Sequence, residues 1–298
     1  MNNSNQAVSR VGVQEKQQHP KQKTRWGSLL AKFFVYLAAL ITLGALIFVV
    51  VYVFVRGIPY LTPEIFSLQY NSKNVSMFPS IINTLQVIAI TLAISIPIGI
   101  ATAIYTVEYA KPGNKFVEFV RLMTETLQGI PSIIFGLFGM LFFAYTVGWN
   151  MAILSGSMTM AMMCLPVIVR ATEEALMAVP NSLREASYGL GARKVRTIFV
   201  VVLPAASLGI ISGIVLAIGR IVGETAALIY TAGTMANLAG PMDNGRTLAV
   251  HMYMLQTESL HRDQAFATAA VLLVIVALIN IVSMRIEGNI KKRELGNG

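Results

Sequence analysis

The sequence predicts an all-α polytopic membrane protein with six transmembrane helices and both termini in the cytoplasm. Of its 298 residues, 55% are hydrophobic and only 12% are charged, whereas a soluble domain carries roughly a quarter charged residues. The mean hydropathy is +0.65. Uncharged runs long enough to cross a hydrocarbon core of about 30 Å, which takes about 20 helical residues, recur along the chain.

The first span is the uncharged run from Phe33 to Val55. The second lies between Lys73 and Glu108, its apolar part running from Ile81 to Val107. Between Glu125 and Arg170 there are 44 uncharged residues, about twice what one membrane crossing needs. That run therefore folds back on itself, and Gly148-Trp149-Asn150 is the expected turn. A fifth span follows Pro204, and the sixth is the 21-residue interval from Gln264 to Met284. The domain plan is a disordered basic cytoplasmic tail over 1–32, a six-helix membrane domain over 33–285 with a cytoplasmic loop at 180–204, and a cytoplasmic tail over 286–298.

Orientation follows from lysine and arginine placement. The N-terminal tail, the loop from Glu108 to Gln128, the loop from Arg170 to Thr197 and the C-terminal tail together hold 18 of the 23 basic residues. The positive-inside rule places all four in the cytoplasm. The net charge of +9 thus reports topology. Nucleic acid is a poor partner, because the basic residues are divided among separate loops without aromatic stacking platforms. The first 25 residues are rich in Asn, Gln and Lys, and the following apolar run is too long for the core of a signal peptide. The single cysteine, Cys164, falls in the fourth span and excludes an internal disulfide.

Catalytic chemistry is missing. The chain has no Gly-Lys pair for a phosphate-cradling loop, no His-Glu-x-x-His and no cysteine cluster. His19 lies in the tail, and His251 and His261 in an outer loop, where histidines ordinarily meet solvent. Asp243 and Asp263 fall outside the spans, so an intramembrane hydrolase finds no buried base. Transport across the membrane is the better class.

The longest inner loop reads VPNSLREASYGLGARKVRTIFVVVLPAA. Ser182 and Glu185 have the spacing of a capping box, Gly191 suits a left-handed helix stop, and Arg193, Lys194 and Arg196 mark a membrane surface ahead of Pro204. A short, stiff helix under the bilayer is expected here. The loop resembles that of the membrane permeases of ABC importers, whose pattern is Glu-Ala-Ala, three residues, Gly, nine residues, Ile-x-Leu-Pro. Here the same spacing joins Glu185-Ala186-Ser187, Gly191 and Val201-Val202-Leu203-Pro204, with Ser187 and Val201 as the departures. The resemblance implies a type I ABC importer permease fold in the bacterial cytoplasmic membrane. In that family the loop docks on an ATPase subunit, so Glu185, Ala186, Ser187, Gly191, Leu203 and Pro204 would be the coupling residues.

Within that family the chain resembles the A-type permease of phosphate importers. The residues that carry this are Gly129-Ile130-Pro131-Ser132-Ile133-Ile134-Phe135-Gly136-Leu137-Phe138, Pro166 to Glu173, and Gly219-Arg220-Ile221-Val222-Gly223-Glu224-Thr225-Ala226. The resemblance implies a homologous C-type permease, an ATPase dimer that binds ATP and magnesium, an extracytoplasmic phosphate-binding protein, inorganic phosphate as cargo and lipid around the spans. It implies no cofactor or metal on this chain. Sulfate, molybdate or another oxyanion would suit the same arginine chemistry, and a stand-alone channel or secondary transporter is the rival from another class.

Arg220 and Glu224 are the charges that interrupt the fifth span. Each would cost about 2.5–3.5 kcal/mol at mid-bilayer if unshielded. One turn apart on a helix they can pair, and an arginine fork suits phosphate oxygens. Two roles are open: a contact on the substrate path, or a structural pair that sets the helix against a partner. Arg170 closes the fourth span, as a membrane anchor or an exit-side contact. Pro97 and Pro166 loosen their helices. Met158, Met160, Met162 and Met163 read as filling, and Gly129, Gly136 and Gly139 as close helix contacts.

Overall fold

The computed structural model describes residues 26–111, 113–257 and 261–296. Of the expected disordered tail over 1–32, residues 1–25 lie outside the described residues, whereas 26–32 are not disordered but continue the apolar helix that follows them. Within them every regular element is helical. The chain divides into two compact units, residues 1–50 and residues 51–298.

In the first unit, helix α1 (Trp26–Gly57) begins seven residues before Phe33, and its side chains from 27 to 49 are exposed. A helix apolar on every face is suited to lipid or to another membrane helix.

The second unit is built around α5 (Ile153–Ala178), the most buried of the long helices, with 67% of its apolar window inside. Against it pack α2 (Phe78–Ile104) and α8 (Leu203–Gly223). Small residues bring α5 and α8 together. A Cβ on Gly209 would strike Ala175, and one on Gly213 would strike Ala171, two small-residue pairs with the same four-residue spacing running in opposite directions. Ile168 of α5 fills the space above Gly99 of α2 in the same way. Met160, Met163 and Cys164 are buried in the core with Val87 and Ala217, while Met162 packs at its edge, so the methionines do act as filling.

Among the described residues five helices are long and apolar enough to cross a membrane. The sixth candidate is a bent pair: α3 (Lys115–Gly129) meets α4 (Ser132–Gly139), extended by a π turn at Met140–Thr146, at 103°. The 44 uncharged residues therefore fold with a corner as well as the expected turn. The corner is at Ile130-Pro131, where Ile130 is extended, the conformation favoured by a residue that precedes proline. The turn is where the sequence places it, with Gly148 at φ 80° and Asn150 at φ 58°. Trp149 stacks on Phe143 with ring centroids 5.7 Å apart.

Two more π turns widen the helices, Tyr105–Tyr109 at the end of α2 and Ile198–Val202 just before α8. Pro204 follows the latter, and its missing N–H removes one α-helical bond at that point. The helical run entering here begins at α7 (Lys194–Thr197) and continues through this π turn, so Pro204 lies ten residues along it, in the first turn of α8.

At the far end, α9 (Ala226–Thr231), a loop over 232–247 and α10 (Leu248–Thr257) fold back before α11 (Arg262–Gly296). Asn83 of α2 fixes that loop, donating to the carbonyls of Asn237 and Arg246 and accepting from the amide of Ala239. His251 is therefore not a solvated loop histidine: α10 turns it fully inward beside Tyr70, whose ring also lies under the Arg246 guanidinium at 4.8 Å.

Burial, reinforced by the positive charge of Arg246, pushes the His251 imidazole down to about 3. An unfolded imidazole titrates near 6.5, so between about 6.5 and about 3 the unfolded chain takes up a proton that the fold refuses. Stability is then complete above pH 6.5 and declines as the pH falls through that window. His251→Gln is expected to flatten this decline between pH 6.5 and 4, measured as the unfolding temperature of the detergent-solubilised protein.

Candidate functional site

Two regions bring together the residues singled out in the sequence. The first is the basic end of the bundle, where α5 stops and α6 (Asn181–Gly189) begins. The helix starts two residues earlier than the capping-box spacing implies. Pro180, with φ −58° and ψ 137°, takes the N-cap position, and Ser182 lies inside the first turn with no capping bond. The Pro180 ring holds φ near the helical value while its ψ of 137° makes the break from the preceding segment, and no side chain caps this end. The C-terminus follows expectation. Gly191 has φ 82°, its amide donates to the Tyr188 carbonyl, and the Ala192 amide donates to Ser187, the paired bonds of a Schellman motif.

No residue of α6 is buried. Glu185, Ala186 and Gly191 are exposed, and beside them stand Leu183, Tyr188 and Leu190, the last 89% exposed. Ser187 faces inward and its hydroxyl bonds that of Thr197 at 2.9 Å. Leu203 and Pro204 do not share this surface. Leu203 packs with Ala103, Leu176 and Val202, and Pro204 is exposed farther along the helix.

A set of charges unremarked in the sequence ties this end together. Arg184 donates from Nε and Nη2 to Glu108 at 3.1 and 2.8 Å, from Nη2 to the Leu176 carbonyl and from Nη1 to the Val179 carbonyl. The pair is enclosed, with 13% and 6% of the two side chains exposed. Glu108 and Tyr109 belong to the π turn that ends α2, and Lys194 lies over the Tyr109 ring at 4.9 Å. In the same turn the Thr106 hydroxyl donates to buried Glu173 of α5, which also faces Arg121 of α3 at 3.8 Å. Arg170, exposed, pairs with Glu174 at 3.0 Å and with Glu125 of α3 at 3.4 Å, on a cavity of about 230 Å³. The one available sequence signal was that Glu108 and Glu173 interrupt otherwise apolar segments.

The second region surrounds Arg220. Here the expected ion pair is absent: among the described residues no acidic group lies within the salt-bridge distance of Arg220. Helix α8 ends at Gly223, and Glu224 is extended at φ −76° and ψ 128°, so the two residues do not share a helical face. The Glu224 carboxylate instead accepts from the Ala227 amide, stabilising the start of α9. Depth follows from packing. The Cys164 sulfur is 4.0 Å from the Ala217 carbonyl, which sets Ala217 about 16 Å from the Ile153 end of α5. Arg220, one turn farther on, lies about 12 Å from that end and about 26 Å from the basic end. It is half-buried and opens on a groove of about 630 Å³ lined also by Val167, Leu216, Gly219, Asn280 and Glu287, whose carboxylate accepts from the Ser212 hydroxyl. Gly136 and Gly139 of α4 press close to Ala227 and to Thr159 and Thr231, whereas Gly129 meets nothing.

Residues 95–295 match the family model described as binding-protein-dependent transport system inner membrane component. A probable ABC transporter permease protein of Bacillus subtilis, YqgI, is 37% identical over 72% of this chain and 79% of that protein. The phosphate transport system permease protein PstA 1 of Mycobacterium tuberculosis is 32% identical over 70% of each. The fold is similar, with a TM-score of 0.63 and 18% identity, to a chain in the crystal structure of a bacterial alginate ABC transporter in complex with an alginate pentasaccharide-bound periplasmic protein. That match covers 88% of this chain and 98% of the other. The chain belongs to the binding-protein-dependent transport system inner membrane component family.

Gly191→Val places a β-branched residue at positive φ, a conformation that costs on the order of 1–3 kcal/mol. Backbone amides over 186–192 are expected to exchange at least about fivefold faster, read by hydrogen exchange with residues 153–178 as the unchanged reference.

Proposed function

We propose that this member of the family is the A-type permease subunit of an ATP-driven phosphate importer. It lies in the bacterial cytoplasmic membrane with the basic end inside. The single observation that carries the cargo is Arg220, a cation set in the half of the bundle remote from the basic end, at a break between helices and without an acidic partner among the described residues. An unneutralised charge in hydrocarbon costs a few kcal/mol, and it is kept where it meets an ion or a polar path. Broken helices in transporters put backbone ends and charges where the substrate passes. Similarity to the mycobacterial phosphate permease supports phosphate among the oxyanions that an arginine fork would suit.

The second half of the reading is energy supply. With the binding surface of α6 wholly outside the bundle, Glu185, Ala186 and Gly191, flanked by Leu183, Tyr188 and Leu190, form a face for an ATPase subunit. ATP and magnesium belong to that subunit, and this chain performs no hydrolysis. A homologous permease completes the path, and a phosphate-loaded binding protein delivers to the opposite end. Arg220 receives the anion in the outer half, and Glu224, held at the α9 terminus, is set apart from it so that the cation stays available. Arg170, held by Glu125 and Glu174, stands at the inner end of the same bundle as an exit-side contact.

The test is uptake of radiolabelled phosphate in cells lacking the gene and in cells complemented with it. Restored uptake that excess sulfate or molybdate leaves unchanged supports the cargo, and uptake that never depends on the gene overturns it. Arg220→Ala is expected to lower uptake by roughly one to two orders of magnitude, the worth of hydrogen bonds to a charged group, while co-purification with the ATPase subunit is retained. Undiminished uptake in that variant removes Arg220 from the path.

A further inference from the structure

Helix α6 has an exposed surface and no buried residue, so its attachment to the membrane helices rests on few bonds. Most of them converge on one side chain. The Arg184 guanidinium accounts for the enclosed ion pair to Glu108, at the end of α2, and for the bonds to the last-turn carbonyl of Leu176 and to Val179 at the end of α5. The carbonyls at a helix C-terminus carry the negative end of its dipole and lack internal partners, which makes a planar cation with several donors a natural clamp there. Tyr109, beside Glu108, takes the second grip from Lys194 of α7.

We infer that Arg184 is a positioning residue that couples α6 to α2 and α5, converting a displacement of the docking helix into movement of the two best-packed spans. This rests on the importer reading above and names the residue through which that reading transmits force. The Glu108–Arg184 contact is rigid because it is short, doubly bonded and shielded from water. Loss of either partner leaves an unpaired charge in an enclosed site and detaches α6 from α2, without altering Glu185, Ala186 or Gly191 on the outer face. The consequence is a permease that still holds the ATPase but uses its strokes poorly.

The experiment uses the complete transporter, with both permeases, the ATPase pair and the binding protein, reconstituted in liposomes. ATP hydrolysed and phosphate taken up are measured together for the native complex, Glu108→Gln, Arg184→Lys and the reversed pair Glu108→Arg with Arg184→Glu. The expected result is a rise of roughly five- to tenfold in ATP consumed per phosphate for Glu108→Gln, within the usual range of coupling between sites. ATPase binding should be retained, and the reversed pair should recover a substantial part of the native ratio. An unchanged ratio in Glu108→Gln overturns the inference. So does a reversed pair that restores assembly without restoring the ratio, since the contact is then structural only. Failure of every variant to assemble overturns it too, because a contact required for assembly has no separable part in coupling. A native complex that binds the ATPase but takes up no phosphate overturns the importer reading instead, and this inference with it.

Discussion

The contact between α5 and α8 sets the positions of everything functional in the bundle. Gly209 and Gly213 on one helix meet Ala175 and Ala171 on the other, and a side chain any larger than hydrogen on those glycines would have to displace its neighbour. In a membrane, where lipid is as apolar as the protein surface, close backbone approach and dispersion replace the hydrophobic drive as the source of helix association. The seam therefore fixes register as well as proximity. It brings Ala217 opposite Cys164 and so decides how deep Arg220 lies. At its other end it carries the α5 terminus to the place where Arg184 closes on it.

Against this apolar background the paired charges of the basic end follow one rule. Glu108 meets Arg184, Glu173 meets Thr106 and Arg121, and Arg170 lies between two glutamates. Each joins different helices, so neutralisation and tertiary attachment are the same event. Arg220 departs from the rule, since among the described residues no carboxylate lies within ion-pair distance of it. Glu224 illustrates how the isolation is maintained: the carboxylate is occupied by a backbone amide at the start of α9.

Much of the fold could be read from the sequence because bilayer thickness converts composition directly into helix length. The turn at Gly148 to Asn150 and the stop at Gly191 were equally legible, since positive φ is a local property that glycine and asparagine advertise. The features that escaped were decided by tertiary partners. Glu224 reads as the next turn of a helix until the Ala227 amide claims it. The bend at Pro131 is written as a single proline, a signal that elsewhere, at Pro97 and Pro166, leaves the helix continuous. Ser182 has the spacing of a cap and loses that position to Pro180. His251 looks solvated until Asn83 pulls the preceding loop onto α2. The Glu108–Arg184 contact spans 76 positions of chain, a separation at which no periodicity operates.

The π turns at Tyr105–Tyr109, Met140–Thr146 and Ile198–Val202 have a mechanical meaning. Each holds about one residue more than an α-helix would use for the same number of bonds, and such a surplus is a unit of slack stored in the backbone. Passing that residue along the helix turns every side chain it crosses by about 100° while the axis stays where it is and the hydrogen bonds are merely exchanged. Two of the three, at the ends of α2 and α8 nearest α6, lie beside the basic end. A bundle whose helix axes are locked by glycine and alanine seams thus keeps one inexpensive freedom, rotation in place, at the end where force would arrive.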